Sequence, residues 1–355
     1  MSQPSLLPPR SAFGSLAVIA VVVLAGAVAL AYTAGWLSPN RLTPTRLVDA
    51  LAPPAGPALG HRRNHAKGIC FTGVFESNGN GAQLSRAQVF SRGQHPALGR
   101  FNLGTPDPDA PDATVRTRGM GLQISAADGE VWRTAMIDLP FFPVATPEGF
   151  YELLHISQSK DQDAMKTFTA AHPEFVAFGD WAKSAPWTAS YAEGPYHSLN
   201  AFIFVDSSGA EKAVRWSLLP QAQVVPISKD DLAKLGPDHL EHEIGERVGK
   251  APQRWTMAVT IANPGDPTSD PSKAWPEGRT TVEVGTLVVQ KIEAERDGPC
   301  RDINFDPTIL PNGIRVSDDP FPAARSSAYA KSYDLRTSEI KYYPYRQQTT
   351  TGARP

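Results

Sequence analysis

Between residues 11 and 37 the chain carries no charged side chain, and from 16 to 32 it is almost wholly Ala, Val, Leu, Ile and Gly. That length reaches the roughly 20 residues a helix needs to cross a hydrocarbon core. Being apolar all round, the stretch has no face to offer water, so it would need a full set of tertiary partners to sit in a soluble core. It also exceeds the roughly 7–15-residue apolar stretch of a cleaved signal peptide, although Ala29-Leu30-Ala31 provides a small-residue cleavage sequence. The expectation is an uncleaved transmembrane signal anchor over 11–37, with a cytoplasmic segment 1–10 before it and a Pro-rich linker 38–59 after it. Arg41 and Arg46 against Arg10 mildly favour a cytoplasmic carboxyl side. A single amino-terminal span ahead of a folded domain more often exports that domain, so an inner-membrane anchor with a periplasmic domain is expected.

The rest has the composition of a globular protein with a sizeable core, 41% of the chain being apolar and 20% charged. A formal charge of -2 excludes the electrostatic footprint of a nucleic-acid partner. Cys70 and Cys300 are the only cysteines, too few for a disulfide scaffold or a thiol zinc site. They could join as one disulfide or stay as two buried thiols.

Residues 69–76 read as a strand, and 119–125 with 131–137 as a hairpin around Asp128-Gly129. A second hairpin pairs 200–206 with 213–219 around Ser207-Ser208-Gly209, and 281–293 alternates Val and Leu with polar residues. Many antiparallel strands at this spacing suggest a barrel. Thr146 with Pro147 and Ser228 are N-terminal caps for helices, and further helical text covers 161–183, 239–248 and 322–336. On the last of these, Arg325, Tyr329 and Arg336 fall within roughly 40° of one another, so one face presents a phenol between two guanidiniums.

A phenol ligates a metal well only when ionised, and an adjacent arginine favours the phenolate. A neutral imidazole can take a proton from one peroxide oxygen and return it to the other; His65, in Arg62-Arg63-Asn64-His65-Ala66-Lys67-Gly68, is the candidate. Arg-x-x-x-Tyr alone also fits an ordinary amphipathic helix, and His65 alone a loop histidine. His239 and His242 with Glu241 and Glu243 read better as a solvated helix face than as a metal cluster.

Taken in order from about residue 62 to 336, these stretches resemble the monofunctional haem catalases, specifically their short catalase-related peroxidase branch. The resemblance is carried by His-Ala-Lys-Gly at 65–68 leading to Val74-Phe75-Glu76, and by Gly99-Arg100-Phe101 with Thr114-Val115-Arg116 and Arg118-Gly119. Leu139-Pro140-Phe141-Phe142, Phe305-Asp306-Pro307, Leu310-Pro311-Asn312-Gly313-Ile314 and finally Arg325-x-x-x-Tyr329 with Arg336 continue it. It implies an α+β fold, a catalase-type antiparallel β-barrel with surrounding helices, binding haem over 60–345 and followed by a disordered tail 346–355.

On the same resemblance Tyr329 is the axial iron ligand, Arg325 its charge partner and His65 the distal acid/base. Arg62, Arg100 and Arg336 hold the propionates of a b-type haem through bidentate guanidinium bonds, and Phe150 packs against the ring. Two positions depart from the family pattern: Asn102 stands where the larger catalases place a serine beside the distal histidine, and Asp138 where they place the distal asparagine. An ionised carboxylate accepts hydrogen bonds but cannot donate one to peroxide as an amide does. With the shorter chain implying a more open route to the iron, the expected activity is a peroxidase. It would reduce hydrogen peroxide or organic hydroperoxides with an organic electron donor, with weak catalase activity, and a homo-oligomer is compatible with it. A haem hydroperoxide isomerase of the allene-oxide-synthase kind, and a non-catalytic haem-binding protein, are the alternatives. The full-length chain is expected to stay with membranes through an alkaline carbonate wash; recovery of most of it in the soluble fraction would contradict the anchor.

Overall fold

Strand side chains alternate across the pleat, and here the inward-facing rows of successive strands close on one another. The computed structural model describes residues 12–33, 36–38, 41–159, 161–339 and 341. Segment 1–10, Tyr342, Tyr343, Tyr345 and the tail lie outside these. The described residues fall into two units divided between Thr43 and Pro44. The first holds helix α1 (Ala12–Thr33), of which Gly14–Thr33, 20 residues, is long and apolar enough to cross a membrane.

In the second unit, β1 (Gly68–Ser77), β2 (Gly93–Leu103), β3 (Arg118–Ser125) and β4 (Val131–Ile137) run as an antiparallel meander. There follow β5 (Trp187–Thr188), β6 (Tyr196–His197), β7 (Phe202–Val205), β8 (Glu211–Pro220), β9 (Pro226–Ile227), β10 (Gln253–Ile261), β11 (Thr281–Ala294) and β12 (Ile314–Val316). Ten strands share one sheet; β7 and β12 branch from β8, and the other eight close through β8–β10 and β11–β1 into an antiparallel barrel. Strands β5 and β9 form a separate ribbon. The barrel interior is aromatic, with Trp132, Trp216 and Trp255 fully buried. Each polar edge that could be orphaned there is a cost, which Trp216 avoids by donating to Thr134 Oγ1 (3.2 Å) and Trp255 by donating to the Gly194 carbonyl (3.1 Å).

Seven helices surround the barrel: α2 (Pro44–Ala50), α3 (Pro147–Ser159), α4 (Gln162–Ala171), α5 (Phe175–Ser184), α6 (Lys229–Lys234), α7 (His239–Lys250) and α8 (Phe321–Ser338). Thr146 Oγ1 accepts from Gly149 N (3.1 Å) at the start of α3, and Ser228 Oγ from Asp231 N (3.0 Å) at the start of α6. The single helix expected over 161–183 is two. Pro173 cannot continue the ladder and pushes the residue before it out of the helical region, and His172 accordingly lies at φ -121°, ψ 72°. Within the segment read as a linker, α2 packs onto the folded unit, and Gln158 Nε2 donates to the Ala50 carbonyl (2.7 Å).

Cys70 and Cys300 form a disulfide between β1 and the loop after β11, both residues fully buried. There is no space for a side chain at Gly298, where a Cβ would stand 2.6 Å from Cys70 Sγ. Cys300→Ser is expected to lower unfolding stability by about 2–5 kcal/mol, measured as a fall in urea midpoint of the detergent-solubilised chain; an unchanged midpoint would show the bond to be dispensable.

Candidate active site

One cavity of about 670 Å³ is lined by loop 62–65, by β2–β4, by α8, and by side chains of α2, α3 and α5. Arg325 and Tyr329 reach it from α8, one turn apart on the same face. Arg325 Nη2 donates to the Tyr329 hydroxyl (3.3 Å) and to the Ala135 carbonyl (2.7 Å), and Nη1 to Asn200 Oδ1 (2.7 Å). Asn200 Nδ2 in turn donates to Asp319 Oδ2 (2.8 Å), and Asp319 Oδ1 accepts from Phe321 N (2.8 Å) at the start of α8. The guanidinium beside the phenol is therefore held on three sides, and the chain that holds it begins at the end of its own helix.

His65 lines the same cavity from the loop before β1. Its φ of 55° lies in the left-handed region, a conformation that costs a non-glycine residue about 1–3 kcal/mol and persists only when its surroundings impose it. Several bonds do so. Arg100 Nη1 and Nη2 donate to the His65 and Ala66 carbonyls (2.8 and 3.0 Å), and Asn64 Oδ1 accepts from His65 N (2.9 Å). Two residues on, the fully buried Lys67 ammonium is fixed by Asp112 (2.7 Å) and the Ala110 and Pro237 carbonyls. From the other side Arg63 N donates to Ser332 Oγ of α8 (3.1 Å), tying the loop to the helix that carries Tyr329. Burial lowers the His65 imidazole to about 4, and the positive charges of Arg100, Arg325 and Arg62 add to the fall. Asn102 favours the charged ring, yet neither His65 Nδ1 nor Asn102 Oδ1, both buried, closes a hydrogen bond with any group. The ring is neutral at physiological pH.

Arg62, Arg100 and Arg336 also line the cavity. Arg62 Nη2 donates to the Cys300, Arg301 and Ile303 carbonyls, and Arg336 to those of Arg301 and Ile303. Behind them stands Glu295, just past β11, accepting from Arg100 Nε (2.8 Å) and Nη2 (2.6 Å) and from Arg62 Nε (3.3 Å). Gly68 makes the approach feasible, since a Cβ there would lie 2.6 Å from the Arg100 guanidinium carbon.

Phe150 of α3 lines the cavity and packs on Phe142, ring centroids 5.3 Å apart. Asp138 does not belong to the lining. It stands just past the end of β4, where its carboxylate accepts from Arg118 N (2.9 Å), while its neighbours Ile137 and Leu139 belong to the lining. Burial raises that carboxyl to about 6 against the pull of Arg118 and Arg116. Of the segment expected to present Asp138 to peroxide, Ile137 and Leu139 are the side chains found in the cavity wall. Asn200, Asp319 and Glu295 escaped the reading of the sequence. Only Asp319 left a signal there, as an acidic residue just ahead of a proline-started helix.

A family profile described as Catalase matches residues 30–343. The chain belongs to the catalase family. It is 34% identical over 325 residues to the catalase-related peroxidase of Synechococcus elongatus, covering 90% of this chain and 95% of that one. It is 32% identical over 299 residues to the catalase-related peroxidase of Mycolicibacterium paratuberculosis, covering 83% and 95%. A solved bacterial catalase shares the fold with a TM-score of 0.69 at 18% identity, over 83% of this chain and 62% of that structure. Catalase membership implies a haem and a peroxide-consuming oxidoreductase.

The residues present suit a haem. A flat apolar macrocycle with two carboxylates needs a largely apolar slot of about 300–1,000 Å³ with a few placed polar groups. This cavity offers that volume, with three guanidiniums to meet carboxylates, a phenol oxygen beside a cation to meet iron, and a buried imidazole nitrogen still without a partner. If His65 is the group that accepts the peroxide proton, the rate of reaction with peroxide should hold from neutral pH downward and fall only as pH drops through about 4. Stopped-flow measurement of that rate against pH tests this; a fall beginning near the ordinary histidine value would contradict it.

Proposed function

We propose that this catalase-family chain is a haem peroxidase that reduces hydrogen peroxide or organic hydroperoxides at the expense of an organic electron donor, with weak catalase activity. The observation that carries the reading is the convergence of Tyr329, bonded to Arg325, and of the neutral, half-buried His65 on one cavity. Tyr329 is the iron ligand of a b-type haem whose propionates meet Arg62, Arg100 and Arg336, and Phe150 packs on the ring. When bound, haem supplies the redox chemistry that accepts oxidising equivalents from peroxide and passes them to a donor.

The protein's own share is positional and electrostatic. His65 takes a proton from one peroxide oxygen and delivers it to the other, so that the departing oxygen leaves as water rather than hydroxide. Arg325 sets a positive charge against the Tyr329 oxygen and favours its anionic, ligating form. Asn102, the other polar side chain beside His65, supports orientation of the imidazole once the two close a hydrogen bond. Ile137 at the wall offers no hydrogen bond to a second peroxide, which supports weak disproportionation. The apolar side chains from α2, α3 and α5 that line the same cavity, Leu47, Leu153 and Phe178 among them, suit an organic donor. Helix α1 and a buried disulfide, a bond that persists in oxidising compartments, support an anchor in the inner membrane and a periplasmic domain.

In detergent extracts the wild type should show a Soret band, and Tyr329→Phe should lose or shift it; the same spectrum in both would sink the ligand assignment. His65→Ala should keep the band while donor oxidation falls about 10²–10⁴-fold. Turnover unchanged from wild type would remove the acid/base role.

A further inference from the structure

Glu295 lies outside the cavity lining, yet two of the cavity arginines, Arg62 and Arg100, are bonded to it. Its contacts with Arg100 are the better formed, engaging Nε and Nη2 together in the fork geometry that fixes a guanidinium plane. The remaining donors of that plane are the ones that hold the His65 and Ala66 carbonyls, and His65 is the residue whose backbone sits at positive φ. Rotation of the Arg100 plane would therefore release the histidine backbone and disturb the arginine seat in one movement. Arg62 is placed by the same carboxylate, which leaves Nη1 without a protein acceptor among the described residues.

Charge gives the second strand of the argument. Glu295 is the carboxylate bonded to Arg62 and Arg100 and the largest opposite charge acting on Arg336, ahead of Asp302. Burial works against ionisation of Glu295, but Arg100 and Arg62 override it and hold its carboxyl below the ordinary value.

Resting on the haem reading above, we propose that Glu295 is a positioning residue that couples the seat of the haem carboxylates to the distal histidine. It acts through Arg100 and touches neither substrate nor cofactor. A merely structural role would lower stability and speed haem loss without altering the ligand chemistry of molecules that still hold haem; coupling alters both.

The test uses the full-length, haem-loaded chain in detergent. Haem transfer to excess apomyoglobin reports the seat, and the association rate of cyanide, which enters as hydrogen cyanide and needs a base to take its proton, reports the histidine. Glu295→Gln is expected to speed haem transfer and slow cyanide association, each by about tenfold, the effect of losing a charge-assisted hydrogen bond. Glu293→Gln, two residues earlier and paired with Lys291 at the surface, is expected to change neither. Both rates within about twofold of wild type, or faster haem transfer with unaltered cyanide association, would overturn the proposal. Should Glu295→Gln not fold, Glu295→Asp keeps the charge but withdraws it by one methylene; both effects at about threefold are expected, and unaltered rates would overturn it. A wild type without a haem band would overturn the haem reading beneath it, an outcome separable from the others.

Discussion

Arg100 is 1% exposed and its guanidinium joins two separate parts of the chain from a barrel strand: the loop before β1 and the segment after β11. A guanidinium so buried must have its charge met and its hydrogens accepted, or it costs several kcal/mol. Satisfying it dictates where Glu295 stands and which way the His65 carbonyl points. Such pairs contribute little net stability over a well-packed apolar alternative. What this one contributes is arrangement, because the Arg100 guanidinium holds the carbonyls of His65 and Ala66 in the strained loop.

The two sides of the cavity are built by different means. On the α8 side a regular helix sets the spacing of Arg325 and Tyr329, and a relay from Asp319 through Asn200 holds the guanidinium against the phenol. On the histidine side there is no regular element; the loop anchors itself outward through Arg63 to Ser332 and Lys67 to Asp112, and Arg100 reaches it from β2. Precision on one side comes from secondary structure and on the other from buried charge.

That difference decides how much could be read from the residues alone. The α8 pair was legible because helical periodicity turns spacing into geometry, and the hairpins were legible from their turn residues. Which side chain the end of β4 presents to the cavity was not legible, because strand parity flips every side chain when the register moves by one residue, and that register is set by the pairing with β3. Glu295 was invisible: a carboxylate near the end of a strand reads as solvated until a partner from β2, distant in sequence, is found beneath it. The helix break at Pro173 was present in the sequence and outweighed by the apolar pattern around it. Helix α2 was hidden in proline-rich text whose short apolar face had no local partner. Whether the two cysteines meet could not follow from their number, since pairing depends on the barrel bringing β1 to the far end of β11.

The position of that disulfide changes the covalent map of the molecule. Cys70 lies just after His65 and Cys300 shortly before Tyr329, so nearly all of the barrel is enclosed in a cross-linked ring, and both of these cavity side chains sit on the arms outside it. A peptide bond cut by a protease in any loop between the two cysteines would open the ring without parting those arms. A nicked molecule would still be one molecule, with the segments that carry His65 and Tyr329 on a common leash.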